Sequence, residues 1–239
     1  MFIHLYLVQI MNNDESYDKG LIHAAREGQS VVVNRLLDNK ANVNGQHSNG
    51  NTALTFAVQN QHWKVANLLL NCKEIDVNLQ GKEQWSVIMY VSQMGCMAVV
   101  HLLLDNKANV NYKDETGYTA LMAASTEGHP GVVDKLLKCK ACVNQQSKCK
   151  ETALLCAARS GKLNVVNRLL EHREIDVNLQ DKNGWTALMW ASRYEHLDVV
   201  NRLLNYLNAQ IHEGFSLSYS RNLVYIPEDI IGLIFEFVV

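Results

Sequence analysis

The sequence predicts an all-α solenoid of stacked helix pairs, and three interleaved series of residues predict it. Leu-Leu pairs fall at 36–37, 69–70, 103–104, 136–137, 169–170 and 203–204, always 33 or 34 residues apart. Thr-Ala-Leu boxes begin at Thr52, Thr119, Thr152 and Thr186, with Ser86-Val-Ile in the same register. Val-Asn pairs at Val43, Val77, Val110, Val143 and Val177 close the units. Series that share one such period mark a repeat architecture, in which a unit buries its apolar face only against its neighbours.

Composition agrees with a folded chain. Of 239 residues, 48% are hydrophobic and 19% charged, which excludes a disordered polyelectrolyte, and only 2 prolines interrupt helices. The formal net charge of −2 gives no electrostatic reason to expect nucleic acid or an anionic membrane as partner.

The chain opens on an apolar run, MFIHLYLVQIM, within an extension over residues 1–15. It lacks the basic start and small-residue cleavage site of a secretory signal. It is also far short of the roughly 20 residues of a membrane span. Two readings stay open: an element that packs over the first repeat, or upstream translation ahead of a natural start at Met11.

Each unit then reads as turn, helix, turn, helix. The Thr of each box suits a helix N-cap, because its hydroxyl can accept from an otherwise unsatisfied backbone N–H. One turn later come the small residues Ala57, Ala124, Ala157 and Ala191, which allow close approach of paired helices. Gly28, Gly95, Gly128 and Gly161 follow, where a helix end wants positive φ. The second helix carries Val165, Val166, Leu169 and Leu170 or their equivalents, an apolar face at i, i+1, i+4 and i+5. A longer period lies above this one. A shift of 100 residues lays IDVNLQGKEQW, ending at Trp85, onto IDVNLQDKNGW, ending at Trp185. That implies duplication of a three-repeat block. The tetratricopeptide repeat has a similar length, but its aromatic and proline pattern is missing.

The unit Asp114-Glu-Thr-Gly-Tyr-Thr-Ala-Leu-Met-Ala-Ala, followed by Glu127-Gly-His, Val132-Val, Leu136-Leu and Lys140-Ala-Cys-Val-Asn, resembles the ankyrin repeat. The resemblance covers six repeats, at 16–48, 49–80, 81–113, 114–146, 147–180 and 181–205. It implies a right-handed stack of helix pairs with hairpin-like tips along one edge. The sequence departs from the family's TPLH box: Ala replaces Pro, and Thr55, Met89, Met122, Leu155 and Met189 stand where His is common. Gln84 and Lys150 occupy the turn position held elsewhere by Gly50, Gly117 and Gly184, which predicts strained turns.

No catalytic constellation is expected. Nine histidines are scattered without ligand spacing, and phosphate-binding loops, dinucleotide fingerprints and nucleophile elbows are missing. Glu74/Asp76 and Glu174/Asp176 recur at turn positions, as features of the repeat. Cys139, Cys142 and Cys149 suggest a zinc knuckle, but a structural zinc site needs a fourth ligand. They also merely replace Asn39, Asn42 and Asn49 of the first repeat. No metal, cofactor or enzymatic activity is therefore expected. The six cysteines read as reduced thiols in a cytoplasmic setting.

The resemblance implies that a partner protein contacts the turn tips and the concave face of the first helices. Scaffold positions hold constant, while the tip residue before the Thr varies as Asn51, Trp85, Tyr118, Glu151 and Trp185. A first-helix position varies as Phe56, Tyr90, Ala123, Cys156 and Trp190, and a later one as Gln59, Gln93, Thr126, Arg159 and Arg193. Trp85, Tyr90, Tyr118, Trp185, Trp190, Arg193 and Tyr194 thus form a candidate contact stripe of residue types enriched at interface hot spots. The competing reading is that these rings pack between neighbouring repeats.

After Tyr206 the period stops, and 206–222 reads as an irregular or partly helical linker. The segment 223–239 carries Pro227 at a helix start and an apolar face of Ile230, Ile231, Ile234, Phe235 and Val238. It resembles the opening helix of an F-box and the F-box-like C-terminal domain of poxviral ankyrin proteins. That implies docking of Pro227, Ile230, Ile231, Ile234 and Phe235 on the adaptor of a cullin-type ubiquitin ligase, inside a host cell. The other reading is a C-terminal capping helix over the last repeat. The expectation is a monomeric binding scaffold for an unidentified target protein, or a substrate receptor for such a ligase.

Overall fold

Local capping and helix-end rules build each pair of helices. The computed structural model describes residues 14–81 and 84–214. Among the described residues lie twelve α-helices and no strand, apart from an isolated bridge between Gln46 and Thr52. The chain divides into two compact units, Met1–Glu115 and Thr116–Val239.

The first unit holds α1 (Asp14–Arg26), α2 (Ser30–Asp38), α3 (Ala53–Gln59), α4 (Trp63–Leu70), α5 (Val87–Met94) and α6 (Met97–Asp105). First helices stack on first helices, α1 on α3 and α3 on α5, and second helices likewise, α2 on α4 and α4 on α6. The second unit holds α7 (Ala120–Glu127), α8 (Pro130–Lys138), α9 (Ala153–Arg159), α10 (Leu163–Leu170), α11 (Ala187–Arg193) and α12 (Leu197–Gly214). It repeats the arrangement, with α9 between α7 and α11, and α10 between α8 and α12. Helix α12 runs past the end of the repeat period, into the segment 206–222. The apolar start and the capping or F-box-like segment 223–239, with Pro227, Ile230, Ile231, Ile234 and Phe235, lie outside the described residues.

The core is the set of positions that hold constant along the sequence. Ala57, Ala124, Ala157 and Ala191 are fully buried, as are Val165, Val166 and Leu169. Truncating such a leucine to alanine typically costs about 2–5 kcal/mol. Thr52, Thr119, Thr152 and Thr186 cap their helices, each hydroxyl accepting the backbone N–H three residues on at 3.2–3.3 Å. The substituted box departs from this: Ser86 sits at the N-cap of α5 without a side-chain capping bond. Its buried Oγ has no hydrogen-bond partner among the described residues.

The Val-Asn series gains a reason. Asn44 Nδ2 donates to the Glu74 carbonyl at 2.7 Å, while its Oδ1 accepts from the Asp76 N–H at 2.8 Å. Asn78 does the same toward Lys107 and Asn109, and in the second unit Asn144 toward Glu174 and Asp176. One amide side chain thus satisfies a donor and an acceptor of the following repeat, because its N–H donates while its carbonyl oxygen accepts. The recurring aspartates are structural too, since Asp76 and Asp176 each accept the N–H of the residue two positions on.

Turn strain falls where the sequence places it. Gln84 and Lys150 have φ of 56° and 58°, in the region that Gly50, Gly117 and Gly184 occupy at 79–81°. A residue with a Cβ is held there at a cost of roughly 1–2 kcal/mol.

Candidate partner-binding surface

Two of the three variable columns of the sequence, the tip and the later helix position, face each other. Each tip residue lies eight positions before a residue on the first helix of the same repeat, and at four of the five tips the side chains meet. Asn51 Nδ2 donates to Gln59 Oε1 at 3.3 Å. The Tyr118 hydroxyl and Thr126 Oγ1 are 2.7 Å apart, Arg159 pairs with Glu151, and the Arg193 guanidinium lies 5.4 Å from the Trp185 ring centre. Amide meets amide, hydroxyl meets hydroxyl, acid meets base, and ring meets cation. The sequence columns list the members of these couples without showing that they touch.

In the first unit, Trp85 and Tyr90 form one ring pair, with centroids 4.9 Å apart and planes tilted by 50°. The Trp85 indole N–H donates to Asp114 Oδ2 at 3.0 Å. Arg26 lies over Phe56 at 5.6 Å, and His47 meets the same ring edge-on at 5.7 Å.

The second unit gathers a larger cluster around α11. Trp185 and Trp190 are 5.0 Å apart, and Tyr194 stacks on Trp190 at 5.8 Å with planes only 12° apart. Arg159 reaches over Trp190 from α9 at 5.8 Å. Aspartate holds the group in place: Asp181 is 6% exposed and accepts from the Trp190 indole at 2.9 Å and from the Trp185 N–H at 3.0 Å. A carboxylate so buried is sustained by the N–H groups pointed at it. Sequence reading missed both Asp181 and Arg159 as supports, and Asp181 had no signal beyond being an acid near the tip. Tyr194 remains 51% exposed and Arg193 is exposed as well. Trp185 and Trp190 are half-buried. They pack on one another, and they leave open faces.

Tyr118 stands apart from this cluster, its hydroxyl committed to Thr126 and close to Cys156. Burial pushes the Tyr118 phenol above its ordinary value, and pushes the Cys156 thiol up to about 11. Burial works against the Arg159 cation, but the Glu151 carboxylate outweighs it and keeps the guanidinium above its ordinary range. These groups hold fixed protonation states near neutrality, as suits a recognition surface.

Among the described residues no three of His, Cys, Asp and Glu are grouped to hold a metal ion. Cys142 and Cys149 are exposed and Cys139 half-buried, and none of the six cysteines is disulfide-bonded. No helix of the described residues is long and apolar enough to cross a membrane.

The family model for ankyrin repeats matches the chain in three copies, over residues 2–81, 74–147 and 139–213. The chain belongs to the ankyrin-repeat family. Among solved structures, an ankyrin repeat domain from Acinetobacter baumannii AYE matches with a TM-score of 0.71 and 27% identity, covering 78% of this chain and 96% of that one. No curated protein matches this chain. Ankyrin repeats are generally protein-interaction scaffolds, and the site described here has the composition such a role uses.

Proposed function

We propose that this chain is a binding module for another protein, which it grips through the hairpin tips and first helices. Trp185, Trp190, Arg193 and Tyr194 form the main contact in the second unit, to which Tyr118 also belongs, and Trp85 and Tyr90 form a separate contact in the first unit. The observation that carries this reading is the cluster around α11. A half-exposed Tyr194 stacks on Trp190 while Arg193 lies over Trp185, and none of these groups fills the repeat core. Exposed aromatic and arginine side chains, ordered in advance by a buried aspartate, lose little entropy on binding.

The test is capture of partner proteins from a eukaryotic lysate with the full chain, followed by direct titration of the recovered protein. Arg193→Glu combined with Tyr194→Ala touches only exposed groups. It is expected to weaken the titrated affinity at least about tenfold, or 1.4 kcal/mol. Unchanged affinity would refute the site. A parallel capture with a chain ending at Asn222 addresses the second reading, that of a substrate receptor, which rests on the Pro227-Glu-Asp-Ile-Ile sequence. Recovery of a cullin-ligase adaptor by the full chain alone would support it, and its recovery by neither chain would end it.

A further inference from the structure

The first unit contains a cavity of about 440 Å³ between α1, the tip at 46–48 and α3. Ile22 and Phe56, both buried, form its floor. Lys19, His23, Arg26 and His47 surround it, and no carboxylate is among the described residues that line it. The volume falls within the roughly 300–1,000 Å³ of ligand-binding clefts. An apolar floor under a cationic rim is a two-part recognition surface, and it is local: the whole chain carries a net charge of −2.

The internal duplication supplies a control for what the scaffold itself requires. Moving 100 residues along the chain, Ile22 becomes Met122 and Gln46 becomes Gln146, so the structural partners persist. Gln46 and Gln146 make the same bonds, donating to the carbonyls of Gln80 and Gln180, each at 3.2 Å. The rim and the phenyl part of the floor do not persist. Lys19, His23, Arg26, His47 and Phe56 give way to Thr119, Ala123, Thr126, Ser147 and Cys156. Helices of the same fold form at both places, so the fold does not demand the cationic rim or the phenyl ring.

We propose that this cavity binds an acidic peptide segment of the partner protein, seating an aromatic or aliphatic side chain on Ile22 and Phe56 while Arg26 pairs with a flanking carboxylate. Arg26 is already ordered over Phe56, so one guanidinium can stack on that ring and present its N–H fork to a carboxylate. This deepens the reading of the chain as a protein-binding module and rests on it.

The experiment titrates the full chain with a fluorescein-labelled Asp-Phe-Asp-Leu-Asp peptide and with its Lys-for-Asp counterpart. The acidic peptide is expected to bind at least about tenfold tighter than the basic one and to weaken as salt rises. Lys19→Glu with Arg26→Glu, two exposed positions, should weaken it by a further factor of about ten, at an unchanged melting temperature. Lys148→Glu, at the place in the second unit equivalent to Ser48, should leave it unchanged. The proposal is overturned by any of four results: no saturation up to about 1 mM peptide, equal binding of the basic peptide, indifference to the double substitution, or equal competition by free glutamate or phosphate. Loss of partner affinity in the Arg193 and Tyr194 variant alongside any of these would leave the general reading standing and remove only this pocket.

Discussion

At the scale of single residues, chemistry in this chain follows burial. Cys142 and Cys149 sit exposed at the tips, whereas Cys156 is fully buried beneath the Tyr118–Thr126 couple, where burial and the nearby Glu151 charge disfavour its thiolate. Because the thiolate is the reactive species, alkylation of the native chain with iodoacetamide near pH 8 is expected to label Cys142 and Cys149 and to spare Cys156 until the chain unfolds. The sign of the stability effect follows. The folded-state pKa is raised from 9.0 to about 11, so the folded state keeps a proton that the unfolded chain releases. This contribution is complete below about pH 9 and is lost as pH rises toward 11, and the Tyr118 phenol adds to the loss in the same direction. Denaturation midpoints measured across that range should fall, and fall less in Cys156→Ala. A flat profile, or rapid native labelling of Cys156, would contradict the burial argument.

At the scale of the element, helix ends were legible where one residue type answers one need. Thr before Ala-Leu predicts a cap, and four caps form as predicted. Glycine after the first helix predicts positive φ, and Gly28, Gly95, Gly128 and Gly161 have values of 64–88°. Gln61 and Glu195 adopt the same conformation without glycine, so the stack imposes the turn even where the residue resists it. A second need at these glycines was invisible in sequence because it comes from the next repeat. The His196 ring lies against Gly161, where an added Cβ would sit 2.7 Å from Nδ1, while Nε2 donates to the Arg159 carbonyl at 3.0 Å. His62 repeats this against Gly28 and Arg26. These two scattered histidines are therefore inter-repeat struts. Gly161→Ala combines left-handed strain of roughly 1–2 kcal/mol with displacement of that ring, so chemical denaturation should show a loss of about 2–4 kcal/mol. A loss below about 0.5 kcal/mol, the level of an ordinary surface change, would mean that the histidine ring yields freely.

At the scale of the whole molecule, the fold was legible because the repeat period states it many times over, and each restatement excludes accidents of one segment. The candidate binding surface was legible only as a set of variable positions. Pairing between tip and helix, the support from Asp181 and the cavity at Phe56 depend on which side chains meet across turns, and no single-position pattern records that. The same repetition fixes how the molecule should come apart. Each repeat touches only its neighbours, so stability is a sum of local terms and a core defect is felt most strongly where it is made. Leu169 is fully buried in the second unit, whose α10 packs between α8 and α12. Leu169→Ala is expected to remove about 2–5 kcal/mol there. Native-state hydrogen exchange followed by mass spectrometry reads the opening free energy segment by segment. Protection across α8 to α12 should fall by most of that amount, and protection across α1 to α4 by a clearly smaller one. Equal loss in both units would show that the chain opens as one cooperative block, with its duplicated halves energetically fused.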